Sequence, residues 1–398
     1  MSRSPELYQW RIEIAKHFSH LSQPMVMGLA LWSLGMILVR SCSLTAIADW
    51  WSCRLGQPFH TVRERLRDTY RDAEAKAGAH RTELDLGPCW APWLNWVLAG
   101  WSGTQLAVAL DATTLGPRFV LLVISVLYRG CAVPIRWKVL PAGVKQPWRP
   151  EWLALLKTLR DQIPPTWTVL VLADRGLYAQ WLFEAIEHLG WHPLLRVNAG
   201  GTFRPGGWVH RYPLTHWTPA VGHRWQGQGT AFAGKKNRLD CTLLAYWGEG
   251  HREPWLLLTD LPPQAADACW YGLRAWIEQG FKKIKGGGWQ WHYTRMTDPD
   301  RAARLWLALA LSTWWVLAVG GEAEAHLPLA TFPPVPGSPR QQGRRWRLVG
   351  IFRHGWSLIV AALFNHQPLP LGHGCPEPWP AVPIAPSNLP LPVPAGET

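Results

Sequence analysis

Between Tyr271 and Lys285 a carboxylate stands in line with an aromatic hydroxyl and two cations. The stretch YGLRAWIEQGFKKIK contains no proline, is apolar at Leu273, Ala275, Trp276, Ile277, Phe281 and Ile284, and runs into Gly286-Gly287-Gly288. It predicts one helix stopped by the glycines. Tyr271, Arg274, Glu278 and Lys285 lie at offsets of three, seven and fourteen, close to one stripe of a helix turning about 100° per residue. Arg274 and Glu278 also have the (i, i+4) spacing of a helical ion pair. For an arbitrary Arg/Glu pair, a solvated helix face with an incidental ion pair is the better reading.

Tyr, two residues, Arg, three residues, Glu, six residues, Lys resembles the Tyr-Arg-Glu-Lys signature of bacterial insertion-sequence transposases of the DDE class, in the insertion-sequence-four family. All four positions match in type and spacing. The resemblance covers roughly residues 105 to 320 and implies two aspartates elsewhere, each at a strand end.

Two positions answer that requirement. Asp111 follows LAVAL, and Asp174 follows TVLVLA and precedes Arg175-Gly176. Aspartate is disfavoured in strands, and an ionised carboxylate against apolar neighbours needs a compensating cation. Either residue alone reads as a turn residue or helix cap. In the topology that the resemblance implies, the two strands are neighbours, so the aspartates repel unless a divalent metal neutralises them. The resemblance makes Asp111, Asp174 and Glu278 the catalytic, metal-binding triad. Oxygen-only ligation suits Mg²⁺ or Mn²⁺, and two ions ~4 Å apart would serve an in-line phosphodiester displacement. It makes Tyr271, Arg274 and Lys285 the DNA-binding residues.

The elements that must position these groups are legible in outline. Residues 1–100 read as a helical N-terminal domain. Leu44–Arg54, with Ser43 as N-cap, and Thr61–Lys76 flank a short Leu-Gly-Gln-Pro turn, as a helix-turn-helix requires. Arg63, Arg65, Arg67 and Arg71 suit a phosphate backbone, but interspersed Glu64, Asp68, Asp72 and Glu74 equally suit an ordinary helical hairpin. Residues 101–200 read as strands over 106–110, 118–128 and 132–140, a helix over 151–163, a strand over 168–173, a helix over 180–189 and a strand over 192–198. With the resemblance, this order implies a ribonuclease H-like α/β fold with a mixed sheet.

Residues 201–254 change to interleaved Gly, Trp and His with short strand candidates, a β-rich insertion that separates Asp174 from Glu278. Trp208, Trp217, Trp225 and Trp247 lie there, readable as base-stacking surfaces or as the insertion's own core. Residues 255–325 hold a strand at 255–259, the signature helix and an apolar helix at 305–318. Residues 326–366 are a Pro/Gly-rich linker, an arginine cluster at Arg344, Arg345, Arg347 and Arg353, and a last helix. Residues 367–398 form a Pro-rich, unstructured tail.

Composition agrees with a polyanionic partner. Lys and Arg number 40 against 27 Asp and Glu, a formal charge of +13, which favours nucleic acid over membrane. Met25–Val39 and Leu305–Gly320 are shorter than the ~20 residues of a span and read as buried helices. Seven scattered cysteines without a Cys-x-x-Cys argue against a disulfide framework or zinc module and for reduced thiols in a cytoplasmic protein. No phosphate-binding Gly-x-x-x-x-Gly-Lys loop or His-Glu-x-x-His zinc motif occurs.

The expectation is therefore a DNA transposase acting on terminal inverted repeats and target DNA, as a homodimer by resemblance. The alternatives are a non-catalytic DNA-binding protein derived from a transposase, and a glycosidase with paired carboxylates. The latter leaves Arg274, Lys285 and the positive charge without a role.

Overall fold

Three runs of β-forming residues after residue 104 build an antiparallel meander: β1 (Gln105–Leu115), β2 (Phe119–Tyr128) and β3 (Cys131–Pro141). The β2–β3 connection is Arg129-Gly130, both at positive φ (44° and 81°), the combination whose twist matches a two-residue hairpin. β1 does not end at Leu110 as the sequence suggests. Thr113 and Thr114 are β-branched and continue the ladder opposite Leu121 and Val120, so Asp111 lies within the strand, in register with Val123.

The computed structural model describes residues 4–78, 81–144, 147–326 and 349–379. They form two compact units, Met1–Trp167 with Ala275–Glu377, and Thr168–Arg274 with Pro378–Thr398. The fold class is mixed α/β. The element order β1-β2-β3-α-β-α-β through residue 196 is that of the expected ribonuclease H-like arrangement.

In the first unit the meander packs with helices from both ends of the chain. These are α1 (Pro5–His17), α2 (Gln23–Val39), α3 (Leu44–Leu55), α4 (Phe59–Asp68), α5 (Trp90–Leu98), α6 (Arg149–Lys157), α8 (Ala275–Lys282), α9 (Pro299–Ala325) and α10 (Ile351–Phe364). Ser43 caps α3, its hydroxyl accepting from Ala46 N at 3.4 Å. Gly56, at φ 61°, ends that helix. α4 is shorter than the expected Thr61–Lys76. It stops at Asp68, and residues 73–75 form a 3₁₀ turn. Helix α6 likewise ends at Lys157, before a 3₁₀ turn at 160–162.

Tryptophans supply much of this core. Trp10, Trp32, Trp51, Trp93, Trp289, Trp306, Trp314 and Trp315 are all fully buried, and Trp10 stacks on Trp315 at 3.8 Å. α9 is longer than the apolar run suggested, and by length and composition could cross a bilayer, but its apolar window is wholly buried within the protein. None of the seven cysteines forms a disulfide.

Asp72 ties the segment after α4 to the start of α9. It bonds Arg304 at 2.6 Å and Arg301 at 2.6 Å, and these hydrogen bonds draw its carboxyl down to about 2. A folded-state value below the ordinary one means that the stabilisation is present above pH ~4 and is lost as pH falls towards 2. Asp72→Asn is expected to lower Tm at pH 6 and to approach the wild-type protein as pH falls through 2. Parallel melting curves down to pH 2 would refute this role.

The arginine cluster at 344–347 and the linker at 327–348 lie outside the described residues, as does the tail from 380. The tail segment up to 379 differs from the unstructured expectation. Leu369 is buried, Trp315 Nε1 donates to Pro370 O at 2.8 Å, and Cys375 O accepts from Arg129. Prolines lack a donor but keep a carbonyl, and this strap offers its carbonyls to core side chains.

The second unit is a mixed sheet in the order β4-β5-β10-β9-β8-β6-β7. β4 (Thr168–Ala173) and β5 (His192–Arg196) are parallel and joined through α7 (Gln180–His188). The β-rich stretch supplies β6 (Thr202–Pro205), β7 (Tyr212–Pro213), β8 (Arg224–Ala231) and β9 (Leu239–Tyr246). It extends the sheet, because β10 (Trp255–Thr259) pairs with both β5 and β9. Trp217 is buried against Trp225 at 4.0 Å and contacts Trp208 and Phe203. Trp217 belongs to the stretch's own core, and Trp208 and Trp225 are half-buried against it.

Candidate functional site

The stretch predicted as one helix has three conformations. Residues 268–274 form a 3₁₀ segment, α8 follows over Ala275–Lys282, and Lys283–Gly287 make a π turn capped by Gly288. A 3₁₀ helix turns faster than an α-helix and a π turn more slowly, so the four signature residues do not share one stripe. Gly272 and the Gly286–Gly288 triplet weaken the α conformation at both ends. Tyr271 and Arg274 belong to the second unit, Glu278 and Lys285 to the first.

In the second unit, Asp174 stands just past the C-terminal end of β4, as expected. Its Oδ1 accepts from Gly176 N at 3.0 Å and Leu177 N at 3.2 Å, while Oδ2 faces Arg274 Nη2 at 3.5 Å. One oxygen thus shapes the turn and the other meets a buried guanidinium. Arg274 is 7 % exposed and Tyr271 5 %. Burial raises the Tyr271 phenol to about 12, against the opposing influence of Arg274 and Arg196, so it stays protonated at neutral pH. Trp255 packs edge-on against its ring at 5.2 Å. Both side chains are buried, and Arg274 is an ion partner of Asp174.

Two residues around this corner were not singled out in the sequence. Arg196, at the end of β5, bonds Glu253 at 2.9 Å, and Glu253 also takes Arg175 at 2.9 Å. An arginine ending an apolar strand, the same signal that marked the aspartates, would have pointed to Arg196.

In the first unit, Asp111 is half-buried on β1, its Oδ1 accepting from Ala112 N at 2.9 Å. Lys285 donates to Thr113 Oγ1, two residues along the same face of the strand. Burial lowers the Lys285 ammonium below its ordinary value, and the Asp111 charge acts in the opposite direction. The π turn is what carries Lys285 to β1. Thr113, Phe281, Ile284 and Lys285 line a small cleft there with Phe119, Trp291 and Trp306. Glu278 is exposed on α8. This helix lies close on the meander, because a Cβ at Gly280 would sit 3.1 Å from Ala132 O.

Asp111, Asp174 and Glu278 offer carboxylate oxygen alone, the donor chemistry that suits a hard dication. Among the described residues, no group of three or more His, Cys, Asp or Glu side chains is gathered as a metal site.

Residues 150–315 match the family model described as Transposase DDE domain. The match takes in Asp174 and all four signature residues but not Asp111. No curated protein matches the chain. Among solved structures, the chain is similar to a piggyBac transposase synaptic complex with hairpin DNA, at 11 % identity over 81 % of this chain and 73 % of that one, with a TM-score of 0.41. It is also similar to human ENDOV, at 12 % identity over 52 % of this chain and 83 % of that one, with a TM-score of 0.25. At such scores neither likeness supports a conclusion.

Proposed function

We propose that this protein is a DDE transposase of an insertion sequence, cleaving the element's DNA ends and joining them to target DNA. The observation that carries the reading is the match of residues 150–315 to the transposase DDE domain, within which Asp174 ends β4 and pairs with Arg274 of the signature. The catalytic carboxylates are Asp111, Asp174 and Glu278. They would hold Mg²⁺ or Mn²⁺, which supplies Lewis-acid stabilisation to the attacked phosphodiester.

The protein's own groups have separate tasks. Arg274 and the Gly176 and Leu177 amides fix both oxygens of Asp174, so the carboxylate is held in one orientation. Thr113 holds the Lys285 ammonium on the Asp111 face of β1, where a cation attracts a phosphate and offsets the carboxylate charge. Tyr271 keeps its proton and stays buried against Trp255, with Arg196 as its hydrogen-bonding neighbour. End recognition is assigned to residues 1–100. Arg67 on α4 and Arg71 just after it are held by Glu64 at 2.8 and 2.7 Å, while Arg65 is exposed and is the cation of that helix best placed for a phosphate. Action on DNA places the protein wherever the element's DNA lies, and the expected homodimer belongs to the DNA-bound state.

The test is strand cleavage on DNA carrying the element's ends and flanks, with Mg²⁺ and with chelator. Cleavage at the element boundary that needs the metal supports the reading. Specific end binding without cleavage under either condition would favour a non-catalytic, transposase-derived protein.

A further inference from the structure

We propose that His292 and Tyr293 form a stacking platform for an unpaired base of a DNA strand. This rests on the reading of the chain as a DNA-processing protein, but on residues outside the signature. The platform follows directly on the π turn. Gln290 turns the chain at φ 57°, and a 3₁₀ turn over Trp291–Tyr293 is closed by Tyr293 N to Gln290 O and Thr294 N to Trp291 O, both 3.0 Å.

The turn points its aromatic residues in opposite directions. Trp291 is 3 % exposed and packs on Phe119 and Trp306. Tyr293 is 72 % exposed. A buried tryptophan therefore anchors a segment whose next two rings face out.

A single exposed tyrosine would need no explanation. This one is held in a pair. The His292 ring lies 3.8 Å from the Tyr293 ring at 39°, and His292 Nδ1 donates to the Lys285 carbonyl. The imidazole is thereby fixed to the turn that carries Lys285, and it lies tilted against the phenol. The phenol itself remains largely open to solvent. The imidazole is already held by its hydrogen bond and lies against the phenol, so a third flat ring can add to the pair at reduced entropic cost.

Charge favours a nucleic acid as the source of that ring. Arg295 and Lys282 are exposed on either side along the chain, and the nearby Asp298 carboxylate is engaged in capping α9 through Arg301 N at 2.9 Å. Aromatic rings beside cations are what single-stranded nucleic acid binding requires: stacking for the bases, charge for the backbone. A paired base keeps its faces inside the duplex, so the platform discriminates for unpaired ends.

The experiment is fluorescence anisotropy of the full chain with a labelled single-stranded oligonucleotide and with a blunt duplex of equal length, in chelator so that nothing is cleaved. Tyr293→Ala is expected to weaken single-strand binding by about 5- to 150-fold, the range for loss of one stacked base, and to leave duplex binding near the wild-type value. Tyr293→Trp should keep the single-strand affinity. Equal binding by Tyr293→Ala and the wild-type protein would overturn the platform, as would equal losses on both DNAs. The transposase reading stands or falls separately, on metal-dependent cleavage by the unaltered protein.

Discussion

Glu278→Gln is expected to eliminate Mg²⁺-dependent strand cleavage while leaving DNA affinity unchanged or slightly higher. The substitution keeps the side chain's length and one carbonyl oxygen but removes the negative charge. On the proposed reading Glu278 is a metal ligand; losing even an outer partner of a metal ligand costs about 10- to 100-fold, and loss of a ligand should exceed that. Affinity should hold because one negative charge near phosphate is gone. The rival reading is a solvated helix face, which the residue's exposure on α8 allows. An exposed charge of that kind contributes at most ~1 kcal/mol to stability, and cleavage would survive its loss. Cleavage rates and DNA affinities of the two proteins, with melting curves to establish folding, separate the cases. Near-wild-type cleavage by Glu278→Gln would remove Glu278 from the proposed triad.

What the sequence made legible was governed by short-range pattern. β4 runs over the six residues predicted, because TVLVLA is β-branched and apolar and Asp174 ends it. Ser43 caps α3 because a hydroxyl one residue before a helix accepts from a free amide of the first turn ahead of it. The stretch 271–285 departs in conformation from the single helix that its pattern predicts. Helical periodicity does not distinguish 3₁₀, α and π turns when the residues are all helix-tolerant, and the glycines that decide it act through backbone freedom, not through pattern. Asp111 was placed at a strand end because the apolar run stops there. The ladder goes on because threonines pair well across strands, which hydropathy does not register. Partnerships such as Lys285 with Thr113, 172 residues apart, or Asp72 with Arg304 arise from tertiary packing and leave no local trace.

The strap after α10 was the least legible element, and it leads to the largest expected effect on stability. Arg129 at the β2–β3 turn donates to Glu324 Oε2 at 2.8 Å, with side chains only 8 % and 7 % exposed. Its Nε donates to Cys375 O, and Cys375 N donates to the Tyr128 hydroxyl at 3.1 Å. One buried guanidinium therefore links the meander, α9 and the strap. Two ions taken out of water gain little over a well-packed apolar pair, but removing one partner leaves the other charged and buried, at a cost of about 3–5 kcal/mol. Glu324→Ala should accordingly destabilise the protein by about that amount. Glu324→Gln should fall between it and the wild-type protein, because an amide oxygen still accepts from Arg129 while the charge is lost. Replacing both residues, Arg129→Met with Glu324→Leu, should recover much of the loss by removing the stranded charge. Urea unfolding followed by tryptophan fluorescence measures all four proteins, with the shift in midpoint read at constant m. A Glu324→Ala protein within about 0.5 kcal/mol of wild type, the range of an ordinary surface substitution, would show that water reaches Arg129 and that the strap is held by its proline and leucine contacts instead.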